Sequence, residues 1–114
     1  MIIIMKSLKF RYYLVPLVLS GKKDSTWRLF DDKDLSIGDV VELKEYITLR
    51  HFANAKLTRI IEKAFKDLTP EDRLGHETFK SDAEMLEHYT TYYKTKVTSD
   101  TIVKIIWFEL LEKF

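Results

Sequence analysis

Gly21-Lys22-Lys23-Asp24-Ser25-Thr26-Trp27-Arg28 is the stretch on which the reading of this chain turns, because a helix ends and a strand begins inside it. Upstream, residues 11–20 put Leu14, Leu17 and Val18 on one helical face, and Gly21 stands where a left-handed C-cap belongs. Pro16 excludes the normal bond to residue 12, so the regular turns are expected to start only near it. Downstream, residues 25–30 alternate. Thr26 and Arg28 share one side and Trp27 and Leu29 the other, which predicts a half-buried strand with the Trp27 side on the core.

Working outward, residues 31–36 read as a polar, charged loop, and Ile37-Gly38-Asp39 as a tight turn feeding a strand over 40–46. The stretch 52–65 satisfies both a helical and an alternating pattern, so periodicity leaves it open. Thr69-Pro70-Glu71-Asp72 has the hydroxyl, proline and acids of a helix start, with Gly75 as its stop. Ser81 to Glu84 forms a capping box for a second helix carrying Met85, Leu86, Tyr89 and Tyr93. Thr98-Ser99-Asp100 is a turn, and residues 101–111 are β-branched and aromatic enough for a closing strand that buries Ile102-Val103 and Ile105-Ile106. Strands open and close the chain while helices interrupt a mostly antiparallel sheet, which points to an α+β fold.

The 114 residues suffice for a single domain over 1–114 with one core, and 46% apolar against 32% charged residues is the balance of a globular chain. A net charge of +1, from 19 basic and 18 acidic side chains, supplies no global field toward duplex nucleic acid. Without cysteine there is no disulfide, thiolate metal site or cysteine nucleophile, as suits a reducing, cytoplasmic setting. His51, His76 and His88 lack ligand spacing, so no metal is expected, and no motif calls for another cofactor. Met1-Ile-Ile-Ile-Met5 is far short of the about 18 apolar residues that span a bilayer; it reads as an edge strand or frayed end of a soluble protein.

The chemistry concentrates in the opening stretch. Lys23 offers a point charge or, desolvated, a base; Thr26 offers a hydroxyl; Arg28 offers a fixed fork for carboxylate or phosphate. Lys22 and Arg11 add charge at the rim. Taken alone, such a cluster is also what a solvated hairpin edge looks like. The pattern Gly-x-Lys-x-x-Thr-x-Arg, here Gly21, Lys23, Thr26 and Arg28, followed by the Gly38-Asp39 turn before a strand, narrows the choice. With these residues and the order of elements, residues 9–110 resemble the ASCH (activating signal cointegrator homology) domain family. The family more often has a smaller β-branched residue where this chain has Trp27.

The resemblance implies a PUA-like β-barrel, mixed but mostly antiparallel, flanked by short helices, and it implies a strand over 53–61. It also implies a cleft at the barrel mouth, lined by Lys23, Thr26 and Arg28, for RNA or a nucleotide. Some bacterial members remove acetyl from 4-acetylcytidine with the motif Lys and Thr and a Glu from the helical insert; the matching residues are Lys23, Thr26 and, nearby, Glu77. A ribonuclease is a further possibility within the family. Binding without chemistry and hydrolysis both stay open, because Lys23 and Arg28 can neutralise phosphate without any catalytic step.

Three tyrosines, Tyr89, Tyr92 and Tyr93, with Lys94 and Lys96, suit either base stacking or core packing. For Tyr89 and Tyr93, four apart on one helical face, packing is the simpler reading. Arg11, Tyr12 and Tyr13 raise the same question at the cleft's rim. His76, beside Glu77, reads as a solvated loop histidine ahead of the alternative that it lines the cleft, and Asp31-Asp32-Lys33-Asp34 as a solvated loop able to repel phosphate from that side. A monomer is compatible with everything above, as is a weak homodimer through an edge strand.

Overall fold

A computed structural model describes residues 5–31 and 33–114. Met1 to Ile4 and Asp32 lie outside the described residues, and with them most of the apolar N-terminal stretch. The elements are β1 (Ser7–Phe10), α1 (Val15–Leu19), β2 (Ser25–Leu29), β3 (Val40–Glu45), β4 (His51–Ala64), α2 (Asp82–Tyr93) and β5 (Ile102–Lys113). The strands form one sheet in the order β1-β3-β4-β5-β2. Only β1 and β3 run parallel; the other pairings are antiparallel. This is the mixed, mostly antiparallel α+β architecture expected. No helix among the described residues is long and apolar enough to cross a membrane.

The sheet curls into a half-barrel. Its long strands bend at irregularities: the β4–β5 register shifts at Asn54/Ala55 and again at Leu57/Arg59, and β3–β4 shifts at Leu43/Lys44. Each shift inserts an unpaired residue, which kinks the strand and raises its twist. Pairing also settles the ambiguous stretch 52–65. Ala53, Ala55 and Leu57 are fully buried where β4 lies between β3 and β5, so strand wins over helix through tertiary contacts.

Two hydrophobic clusters occupy opposite faces of β5, where the length of the chain had suggested one core. Ile106 and Phe108 join Phe10, Val18, Leu43, Phe52 and Leu57 inside the curl, whereas Val103 and Ile105 join Trp27, Leu29, Phe65, Met85 and Tyr89 beneath α2. A strand covered on both sides cannot show a simple in/out alternation. Ile102, expected in the core, is instead 53% exposed, because it lies at the strand end opposite Ala64.

Helix α1 starts at Val15 with Pro16 in its first turn, and Gly21 follows it at φ +81°. Gly38 (φ +95°) turns the chain so that its N–H donates to the Leu57 carbonyl at 2.7 Å, while the Asp39 carboxylate accepts from Ser36 N–H at 2.9 Å. Ser81 caps α2 by accepting from the Glu84 N–H at 3.1 Å. The helix expected to start at Thr69 is only a 3-10 turn, Glu71–Arg73. Its capping groups are present, since Thr69 N–H donates to the Asp72 carboxylate and Asp72 N–H to the Thr69 hydroxyl. No α-helix follows, because the chain becomes extended at Leu74 and is drawn sideways onto β2.

Candidate functional site

That sideways draw builds the site. The Gly75 carbonyl accepts N–H bonds from both Asp24 (3.1 Å) and Ser25 (3.2 Å), and the Leu74 carbonyl accepts from the Ser25 hydroxyl and the Trp107 indole. Residues 74–77 are thereby tied to the entry of β2, and Glu77 arrives beside Lys23. A cavity of about 510 Å³, its open mouth included, lies between the two edge strands β1 and β2 beneath α2. Lys23, Thr26 and Arg28 line it, together with Phe10, Arg11 and Glu77.

Lys23 is 3% exposed, and its Nζ donates to Glu77 Oε2 at 2.5 Å. Burial lowers the amine's pKa, and the Glu77 charge restores part of the loss. Burial pushes the Glu77 carboxyl upward, but His76, which charges only in the acid range where Glu77 itself titrates, and the charge and hydrogen bond of Lys23 together hold it below the usual range. Thr26 is buried on the same wall. Among the described residues no hydrogen bond joins its hydroxyl to Lys23, whose amine is given to Glu77.

Arg28 does two things at once. Its Nη2 donates to the Lys9 carbonyl at 2.8 Å, linking the two edge strands across the open side of the half-barrel, and its guanidinium stands 5.4 Å from the Phe10 ring centre. Its Nε and the Trp27 Nε1, both on cavity-lining residues, are buried donors without a partner among the described residues. Unpaired donors of this kind suit a ligand rich in acceptors.

Lys22 does not belong with the group. It is exposed on the turn after Gly21 and outside the cavity lining, because the chain turns Lys23 inward: Lys23 N–H bonds the Leu17 carbonyl at 3.0 Å. Gly21, Gly38 and Asp39 shape the turns that frame the sheet and are likewise outside the lining. Asp31 also departs from a solvated loop: its side chain is 12% exposed and lies 3.6 Å from Lys104.

His76 takes the less favoured of its two readings: its side chain is 2% exposed and lines the cavity, where a solvated loop residue was the first expectation. The Glu77 carbonyl accepts from Nδ1 at 2.7 Å, which places the proton of the neutral ring on Nδ1; Nε2 therefore accepts from the Tyr89 hydroxyl at 3.3 Å. Burial, reinforced by the Lys23 charge, lowers its pKa to about 4. The residue thus holds the Glu77 backbone as a neutral donor. Its sequence signal was slight: a histidine next to the candidate acid, and a strand tryptophan in need of a flat partner. Tyr89 is buried as expected for packing, yet it also lines the cavity with Tyr92 and Tyr93. Among the described residues, no three His, Asp or Glu gather as metal ligands.

A curled half-barrel open between its edge strands, with a polar cavity at that opening, defines a PUA-like domain. Neither a family model nor a curated protein matches the sequence. Solved structures match its fold. A protein from Enterococcus faecalis V583, described by the family model DUF984, is 14% identical, with 100% of this chain and 85% of that one covered at a TM-score of 0.75. The ASCH domain from Lactobacillus crispatus JV V101 is 11% identical over 92% of this chain and 79% of its own, with a TM-score of 0.69. A Pyrococcus furiosus protein is 19% identical over 96% and 99%, with a TM-score of 0.65. The chain has the ASCH-domain fold.

Proposed function

We propose that the cavity binds RNA or a nucleotide, with Lys23, Thr26 and Arg28 as ligand-facing groups and Arg11 at the rim. The observation that carries this reading is the lining itself: Lys9, Arg11, Lys23 and Arg28 meet one carboxylate, Glu77, in a hollow walled by aromatic rings. Local positive charge with flat apolar faces and free donors fits phosphate, base carbonyls and base rings together. The test is fluorescence anisotropy with a short single-stranded RNA across a salt series. Arg28→Ala is expected to weaken binding and to flatten the salt dependence, as loss of a phosphate contact does. Unchanged affinity and slope would remove Arg28 from the contact set.

A second reading, an amidohydrolase acting on an acylated nucleoside such as 4-acetylcytidine, is favoured by one observation: Glu77 meets Lys23 in the cavity that Thr26 also lines. In that chemistry the Thr26 oxygen adds to the amide carbon while its proton passes to an unprotonated Lys23 amine. The C–N bond then breaks, Lys23 returns the proton to the departing amine, and water releases the acyl group. Glu77 fixes the lysine. Incubation with 4-acetylcytidine followed by chromatography separates the readings: turnover abolished in both Lys23→Ala and Thr26→Ala supports hydrolysis, and no turnover by the native chain leaves binding alone. Cytoplasmic residence and a monomeric or weakly dimeric state belong to the same proposal.

A further inference from the structure

A second hollow, lined by Arg11, Tyr12, Tyr13, Glu45, Ile47 and Tyr92, shares Arg11, Tyr13 and Tyr92 with the first, so the two adjoin. Its walls expose much aromatic surface: Tyr12 is 73% and Tyr13 54% exposed, and Tyr92, like Tyr46 on the far side of Arg11, is about two-fifths exposed. The Arg11 guanidinium lies 4.0 Å from the Tyr46 ring centre and 4.9 Å from that of Tyr92, which holds it at the junction of the two hollows. Contiguous exposed rings are costly to keep in water and mark surfaces that meet a partner.

Charge selects the partner. Across both hollows Lys9, Arg11, Lys23 and Arg28 face two carboxylates, and both of those are engaged within the protein. Glu77 is paired with Lys23, and Glu45 accepts from the Ile47 and Thr48 N–H groups and the Thr48 hydroxyl. Arg11, at the junction and without an ion pair among the described residues, stands between the flat faces of Tyr46 and Tyr92. A phosphodiester there, with one base in the cavity and the next against a ring, satisfies both features, since bases of any identity stack on tyrosine and arginine planes. A free nucleoside fills the first hollow and leaves the second unused.

Resting on the cavity reading above, we infer that the ligand is a single-stranded oligonucleotide: one nucleotide enters the cavity, its phosphate crosses Arg11, and the neighbouring base stacks in the Tyr12–Tyr92 groove. The experiment compares a nucleoside 5′-monophosphate with a pentanucleotide RNA, by calorimetry and anisotropy, on the native chain, Tyr12→Ala and Lys23→Gln. Tyr12 lines the groove and not the cavity, and its exposure leaves the core intact when it is removed, which circular dichroism checks.

The expected result is a pentanucleotide bound more tightly than the mononucleotide, with Tyr12→Ala losing about tenfold of pentanucleotide affinity and none for the mononucleotide. Equal affinities for the two ligands, or an unaltered Tyr12→Ala, would overturn the groove. So would a dimer in sedimentation that Tyr12→Ala dissociates, because it would assign the surface to a second copy of the chain. Loss of affinity in Tyr12→Ala with Lys23→Gln unaffected keeps the groove and sinks the cavity reading. No binding of either ligand sinks both.

Discussion

The His76 imidazole lies flat on the Trp27 indole, with ring centroids 3.9 Å apart and planes 17° from parallel. Buried there and close to the Lys23 ammonium, the ring stays neutral although its bond to the Glu77 carbonyl opposes this, and its pKa falls from 6.5 to about 4. The unfolded chain therefore binds a proton that the folded chain refuses across that window, so stability drops as pH falls from 6.5 toward 4. The gap between the two values corresponds to about 3 kcal/mol. Urea denaturation at a series of pH values checks this. His76→Gln is expected to remove most of the slope above pH 4.5, and an undiminished slope would show that His76 is not the titrating group.

Removing the Lys23 amine strands Glu77 beside a buried wall. Because the Glu77 side chain is 34% exposed, Lys23→Gln is expected to cost about 1–2 kcal/mol, below the 3–5 kcal/mol typical when one partner of a fully buried pair is lost. Glu77→Gln in the same background should recover part of the loss in a double-mutant cycle. Strictly additive single and double variants would mean the two groups do not interact in solution.

Arg28 ties β2 to β1 through the Lys9 carbonyl, so its loss has a structural signature besides any effect on ligand. Arg28→Ala is expected to lower unfolding stability by about 1.5–3 kcal/mol, the usual worth of a hydrogen bond to a charged group. Hydrogen exchange should show the extra opening at the edge strands first. Protection unchanged at β1 and β2 would assign Arg28 to ligand contact alone.

Gly75 stands at φ +78°, and a Cβ there would come 1.7 Å from Asp24 Oδ1. Asp24 can swing aside, so the cost of Gly75→Ala is mainly backbone strain, about 1 kcal/mol. The displaced loop carries Glu77, however, and ligand affinity is expected to fall more than stability. Calorimetry and thermal melts on one preparation compare the two; a variant with native affinity would show that the loop docks without help from the glycine.

Much of this molecule is legible from local pattern. Pro16 and Gly21 bracket the first helix, Thr26 and Arg28 alternate against Trp27 and Leu29, and Ser81 caps the second helix; each depends on residues a few positions apart, where backbone sterics and side-chain reach decide. The stretch 52–65 and the turn after Thr69 were not legible in the same way. Their outcomes depend on which strands flank β4 and on where the Leu74 and Gly75 carbonyls find donors.

By itself, then, the sequence determined an α+β chain with a lysine, a threonine and an arginine gathered at one helix-to-strand turn, because their spacing alone sets their proximity. Only the tertiary structure decided that Glu77, 54 residues from Lys23, reaches its amine and that His76 is dry and neutral. Those relationships come from a loop hydrogen-bonding to a strand far away in the chain, and no periodicity records such a contact.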